Sequence, residues 1–192
     1  MRFLVLAALL FFSGNAAAVE FLLTNNLVSL SIQSTLSSQP VLLSGYSLGL
    51  SAQKALSRDV VVGVAFEPLL NFSAREISRY SYGGYLQYVL WGQTHKYTTA
   101  QSDFTMVTYG DQAVYGILRL INNNYQTIIP NSNVVLQGSN LEVQVGAGCQ
   151  REVFESSAFG LEFSVIALSF ITSAEKIQST GFQATAYFLF GN

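Results

Sequence analysis

The side chains that could do chemistry in this sequence are few and scattered. The only histidine is His95, which lies in a polar stretch between Thr94 and Lys96. Catalysis needs a nucleophile with a base or a metal cluster nearby, and no GxSxG, metal-ligand spacing or phosphate-binding loop accompanies His95. The sequence therefore predicts no catalytic, cofactor-binding or metal site, and indicates that the protein is not an enzyme.

Ionisable residues within apolar surroundings are the other candidates. Glu67, Arg119, Glu142 and Glu162 each fall on the polar face of a segment in which polar and apolar residues alternate. If these segments enclose a narrow interior, charged groups there need partners, because an unpaired buried charge is costly. We expect a luminal polar network that plugs the interior. The alternative is a small polar channel.

The clearest of these alternating segments is 141–150, with the sequence LEVQVGAGCQ. Its odd positions are apolar and its even positions are polar or glycine, which is typical of a β-strand with one apolar and one polar face. Its length of about ten residues suits a tilted strand that crosses a bilayer. Cys149, the only cysteine, falls on the apolar face, and we interpret it as a small buried hydrophobic residue that forms no disulfide.

The composition supports a membrane location. Of the 192 residues, 50% are hydrophobic and only 10% are charged, well below the roughly 25% of a soluble domain. No apolar run after the N-terminus is long enough for a transmembrane helix. A closed β-barrel is the other fold that satisfies every backbone group in lipid. The net charge of −2 does not indicate nucleic-acid binding.

The first 18 residues have the features of a secretory signal peptide. Arg2 is followed by the apolar residues 3–12, and Ala16, Ala17 and Ala18 provide a small-residue cleavage site. We predict cleavage after Ala18, which leaves residues 19–192 as one barrel domain.

Alternation predicts an all-β, closed antiparallel transmembrane barrel. Eight strands fit the length best, and ten are possible, since such barrels have an even number of strands. Polar stretches at 71–81, 122–124 and 138–140 are predicted as connections. The predicted strands lie at 43–54, 60–70, 82–91, 113–121, 141–150, 159–170 and 181–190, with further candidates at 27–34, 103–109 and 127–137.

These segments resemble the small bacterial outer-membrane β-barrels of the OmpA/OmpX kind. The resemblance is carried by GYSLGLSAQ at 45–53, LEVQVGAG at 141–148 and the final strand FQATAYFLF at 182–190. It implies export to the outer membrane of a Gram-negative bacterium, contact with outer-membrane lipid and lipopolysaccharide, and insertion by the barrel assembly machinery. Family members end on an aromatic residue, whereas here Gly191 and Asn192 follow Phe190.

The resemblance implies a structural or surface-interaction role, such as envelope integrity, adhesion or ligand binding through loops, with the extracellular ligand unknown. A small pore and a soluble secreted lipid-binding barrel remain alternatives, and a lipid-modifying enzyme is a further one. In a soluble barrel the apolar faces would point inward. Glycines on the polar faces favour lipid outside, because a narrow lumen requires small residues there; they are Gly49, Gly63, Gly146, Gly148 and Gly160.

Overall fold

A computed structural model describes residues 19–35, 40–72, 77–99, 105–109, 111–128, 135–154, 157–173 and 176–190. These residues form ten strands. The strands are β1 (Glu20–Gln33), β2 (Val41–Ala55), β3 (Val60–Asn71), β4 (Ile77–Gly92), β5 (His95–Thr99), β6 (Thr105–Tyr109), β7 (Gln112–Ile128), β8 (Val135–Phe154), β9 (Ser157–Ile171) and β10 (Gln178–Phe190). In the described ranges, no helix is long and apolar enough to cross a membrane.

Eight of the strands form a closed barrel, in the order β1-β10-β9-β8-β7-β4-β3-β2. Every neighbouring pair is antiparallel, and β1 closes the barrel by pairing with β10 from Phe21↔Phe190 to Gln33↔Gln178. β5 and β6 pair only with each other, as a hairpin between β4 and β7. The predicted closed, antiparallel, eight-stranded barrel is confirmed.

The two ends of the barrel differ. At the terminal end, β1 begins and β10 ends, and the connections are 56–59, the β5–β6 excursion and 155–156. At the loop end, the connections are 34–40, 72–76, 129–134 and 172–177. All four loop-end connections are short. The largest addition to the barrel, the β5–β6 hairpin, lies at the terminal end.

The outer surface is apolar. Phe21, Leu50, Leu118 and Phe163 are among many large hydrophobic side chains that are about half exposed. In β8, Val145 is 41% exposed whereas the neighbouring Gln144 is 2% exposed, as the alternation predicts. Cys149 also faces outward and is exposed, so our interpretation of it as a buried residue is wrong: the apolar face of this strand is the outside of the barrel.

Several predicted boundaries are wrong. Asn122–Asn124 lies inside β7 and 138–140 lies inside β8, where Asn123 pairs with Asn140. The predicted loop 71–81 also contains a strand, because β4 begins at Ile77 and places Arg79 in the interior. The amide-rich segments continue as strands because their inward side chains find hydrogen-bond partners in the lumen.

Some predictions concern other parts of the chain. Of the additional strand candidates, 27–34 belongs to β1, 127–137 spans the end of β7 and the start of β8, and 103–109 includes β6, outside the barrel. The predicted signal peptide at 1–18 and the last two residues, 191–192, lie outside the described residues.

Candidate functional site: the polar lumen

The four ionisable residues predicted from the sequence all face the lumen and are buried. Glu67 lies on β3, Arg119 on β7, Glu142 on β8 and Glu162 on β9. The structure brings three of them together, since Arg119 contacts both Glu67 and Glu162. Glu142 lies apart from this group and has partners of its own. The lumen therefore holds two separate polar clusters, which we call the arginine cluster and the Glu142 cluster.

In the arginine cluster, a single guanidinium bridges two carboxylates across the lumen. Arg119 Nη1 donates to Glu67 Oε1 at 3.1 Å, and Nη2 donates to Glu162 Oε1 at 2.5 Å. The side chain of Arg119 is 6% exposed, and those of its partners are 2% exposed. Gln183 on β10 donates to the other oxygen of Glu67, at 3.1 Å. Strands from different sides of the barrel are thus tied together through its interior.

In the Glu142 cluster, neutral donors surround the carboxylate. The hydroxyl groups of Tyr125 and Ser179 donate to Glu142 Oε1, and Gln144 Nε2 donates to Oε2 at 2.9 Å. Hydrogen bonds from neutral groups can satisfy a buried carboxylate and hold it in place. Because Ser179 is on β10, this cluster also spans strands that are distant in sequence.

A chain of small polar side chains continues from this cluster towards β4. Asn140 Nδ2 donates to Ser179 Oγ at 2.6 Å, and Asn123 Nδ2 donates to Asn140 Oδ1 at 3.1 Å. Ser81 Oγ donates in turn to Asn123 Oδ1 at 2.7 Å. These residues were all predicted to lie in connections between strands, and only their place inside the barrel gives them this role.

Three tyrosines fill the lumen nearer the terminal end, each over a glycine on the neighbouring strand. Tyr85 pairs with Gly63, Tyr115 with Gly148 and Tyr187 with Gly160. A methyl group at Gly148 would lie 2.5 Å from Cζ of Tyr115, so the ring fits only because residue 148 has no side chain. Three of the five glycines that favoured a narrow lumen from the sequence, Gly63, Gly148 and Gly160, therefore make room for large rings.

The tyrosine hydroxyl groups are hydrogen bonded, as is usual for buried tyrosines. Tyr115 donates to Tyr187 at 2.9 Å, and Tyr187 donates to Gln150 Oε1 at 3.2 Å. Gln150 Nε2 reaches the carbonyl oxygen of Thr94, at 3.2 Å. Thr94 is fully buried and precedes the β5–β6 hairpin, so the base of that hairpin packs into the terminal end of the lumen.

Apolar side chains close the lumen at the loop end. Val28, Leu30 and Ile32 point inward from β1 and pack with buried residues of other strands. The outward neighbours on this part of β1 are Ser29, Ser31 and Gln33, so its polarity is reversed relative to the rest of the barrel. The other members of this apolar cap are Leu43, Leu69, Tyr125, Leu136 and Ile177.

Arg79 is a luminal cation that the sequence analysis missed. It is 1% exposed, and its Nε and Nη1 have no hydrogen-bond partner in the described structure. The Arg119 Nε, Asn26 Oδ1, Ser47 Oγ and Gln183 Oε1 atoms are also buried without a partner there. The sequence signal that could have located Arg79 is alternation: Arg79 and Ser81 share one face of the strand, and Tyr80 lies on the other. The charged residues around Arg79 led us to predict a loop there instead.

The described polar side chains of the lumen act mainly as ion-pair and hydrogen-bond partners for one another. Among the described residues, no group of three or more histidine, cysteine, aspartate or glutamate side chains could hold a metal ion. The carboxylates of the arginine cluster are occupied by a guanidinium, and the hydroxyls near Glu142 donate to that carboxylate. The backbone of His95 begins β5 outside the barrel sheet. What this arrangement can do is hold the strands together and fill the lumen.

Comparison with known proteins identifies the fold. No protein-family model and no curated protein matches the sequence. Among solved structures, the N-terminal β-barrel domain of Pseudomonas aeruginosa OprF aligns with a TM-score of 0.55 and 11% identity, covering 88% of this chain and 97% of that one. Neisserial surface protein A aligns with a TM-score of 0.51 and 17% identity, covering 88% and 96%. The predicted resemblance in fold to small outer-membrane barrels is thus confirmed.

Proposed function

We propose that the protein is an integral barrel of the bacterial outer membrane, with a sealed lumen and a structural role in the envelope. Its direct partners are then membrane lipid, including lipopolysaccharide, and the barrel assembly machinery that inserts it. The short loop-end connections favour a contribution to envelope integrity over adhesion or ligand capture by long loops.

The observation that carries this proposal is the inverted polarity of the barrel. Charged and amide side chains such as Glu67, Arg119 and Gln144 are buried inside, whereas Leu50, Leu90 and Leu161 are exposed outside. A soluble barrel would reverse this arrangement, because burying apolar surface drives its folding in water. With lipid outside, the exposed leucines and phenylalanines face a solvent that matches them, and the closed strands leave no backbone edge unpaired.

The filling of the lumen favours a sealed barrel over a channel. The tyrosines, the arginine cluster, the Glu142 cluster and the apolar cap occupy successive parts of the interior. An eight-stranded barrel is just wide enough for its side chains to fill. Ion passage would require the Arg119 pairs to break and the apolar cap to part.

A small pore is the second candidate, and one observation favours it. Arg79, Asn26 and Ser47 have buried polar atoms with no hydrogen-bond partner within the described structure. Buried polar groups are normally satisfied, and water would satisfy these. A hydrated section of the lumen would be one part of a channel, although the apolar cap and the ion pairs still separate it from the two ends.

Location and conductance can be tested in turn. We expect the exported protein to begin at Val19, to fractionate with outer membranes and to run faster on a gel before heating than after it. Recovery in the soluble fraction would contradict the membrane location. Once inserted in a planar bilayer, the purified protein should give no stable conductance, and reproducible single-channel steps would favour the pore.

A further inference from the structure

Asn25 is a polar residue on the outer, apolar face of β1. Its outward neighbours along the strand are Phe21, Leu23 and Leu27, which are 63%, 47% and 56% exposed. Asn25 is itself exposed, because it shares their phase in the alternation. Across the sheet it pairs with Leu48 on β2 and Ala186 on β10. The outward residues directly beside this amide, along the strand and across the sheet, are therefore apolar.

The register places Asn25 in the middle of the apolar surface rather than at its border. On β10 the outward positions run from Phe190, which pairs with Phe21, to Phe182, which pairs with Ser29. Ala186, the partner of Asn25, lies midway between those two phenylalanines. Lipid headgroups are found at the borders of such an apolar band, so they are far from this amide.

The side-chain amide of Asn25 makes no hydrogen bond to any residue that the structure describes. The backbone around it is fully engaged in the pairing of β1 with β2 and β10, and it offers the amide no free partner. Hydrocarbon chains have neither donors nor acceptors, so an unpaired amide at this depth is strongly unfavourable. Another polar group must reach it within the membrane.

We propose that this group is Asn25 of a second copy, and that two barrels associate through their β1–β10 faces around a two-fold axis. An amide carries a donor and an acceptor, so two related by a two-fold axis satisfy each other with two hydrogen bonds. Ala184 and Ala186 flank Asn25 on β10 with small outward side chains. Small residues with an interfacial amide allow close approach and hydrogen bonding between membrane segments.

This inference rests on the membrane location proposed above, so insertion is measured first. Each variant is refolded into phosphatidylcholine vesicles, and its insertion is checked by heat-modifiable migration and vesicle flotation. If the protein does not insert, the proposed function fails. If it inserts and stays monomeric, only the dimer is refuted.

The interface is located by disulfide cross-linking. In a Cys149→Ser background, Ala186→Cys should give a covalent dimer on mild oxidation, because Ala186 is the cross-strand partner of Asn25 and lies beside the axis while Asn25 itself is left in place. The control is Leu118→Cys, which is also outward and 49% exposed but lies on β7, four strands from β1 in the eight-stranded barrel. Equal cross-linking at both positions would show random collision and overturn the proposal.

The role of the amide is measured separately, by energy transfer between labelled copies in the same vesicles. Asn25→Leu keeps the outer face apolar and should weaken self-association roughly tenfold. This is the effect expected when two hydrogen bonds are lost, each about as strong as a hydrogen bond between two transmembrane helices. Leu118→Ala should leave association unchanged. A wild-type protein that shows no concentration-dependent energy transfer, or an Asn25→Leu variant that associates as tightly as the wild type, would refute the proposal.

Discussion

Replacing Arg119 with alanine should destabilise the folded barrel by about 3–5 kcal/mol, the usual cost of removing one partner from a buried ion pair. We expect a cost of this size because Arg119 contacts two carboxylates, Glu67 and Glu162, at 3.1 and 2.5 Å, and all three side chains are nearly inaccessible to solvent. Its loss leaves two negative charges in a confined space with little water to screen them.

The measurement is urea-induced unfolding in phosphatidylcholine vesicles, followed by the fluorescence of Trp91, the only tryptophan, which is 60% exposed on the outer face. The matched control is Arg58→Ala, in the exposed connection between β2 and β3. Surface substitutions of this kind usually change stability by less than about 0.5 kcal/mol.

Lowering the pH should partly rescue the Arg119→Ala variant. Without the guanidinium, the folded state favours protonation of the facing carboxylates more than the unfolded state does. The folded variant therefore binds more protons, and its stability rises as the pH falls through the range in which carboxylates titrate. Adding Glu67→Gln and Glu162→Gln should restore stability at neutral pH for the same reason. Equal unfolding of the Arg119 and Arg58 variants, or a variant insensitive to both treatments, would refute this account of the arginine cluster.

Three further predictions concern packing, depth and the second arginine. Gly148→Ala should cost about 1–3 kcal/mol, because the added methyl group would overpack against Tyr115. Gly116→Ala should be tolerated, because a methyl group there would lie 4.0 Å from the nearest atom. Equal urea midpoints for the two variants would contradict the tyrosine–glycine pairing. If the outer surface lies in the membrane as proposed, Val145→Arg should cost about 2–4 kcal/mol in vesicles and Gln33→Arg about 0–1, because only Val145 would face the lipid interior. A reversed order of unfolding would place the apolar belt elsewhere. The Arg79→Met variant should be at least as stable as the wild type, since the substitution removes buried donors that lack partners. A decrease of more than about 2 kcal/mol in the free energy of unfolding would show that Arg79 has a partner such as bound water.

The sequence alone predicted strands with one apolar and one polar face from local alternation, and the glycines on the polar faces favoured placing those faces inside the barrel. In β8, Val145 and Gln144 are neighbours whose side chains must point to opposite faces, whatever the rest of the chain does. The same rule placed Glu67, Arg119, Glu142 and Glu162 on one side of their strands. Length and the even-number rule then favoured eight strands.

Only the tertiary structure decided which of these groups meet. Arg119 reaches Glu67 and Glu162, 52 and 43 residues away, while Glu142 is held by Tyr125 and Ser179. These contacts depend on the register of every strand pair and on closure of β1 against β10, and no local pattern encodes them. The asparagines were misjudged for the same reason: Asn123 and Asn140 favour turns in isolation, but in the closed barrel each faces a partner that replaces water. Local alternation therefore sets which way a side chain points, and barrel closure sets what it contacts.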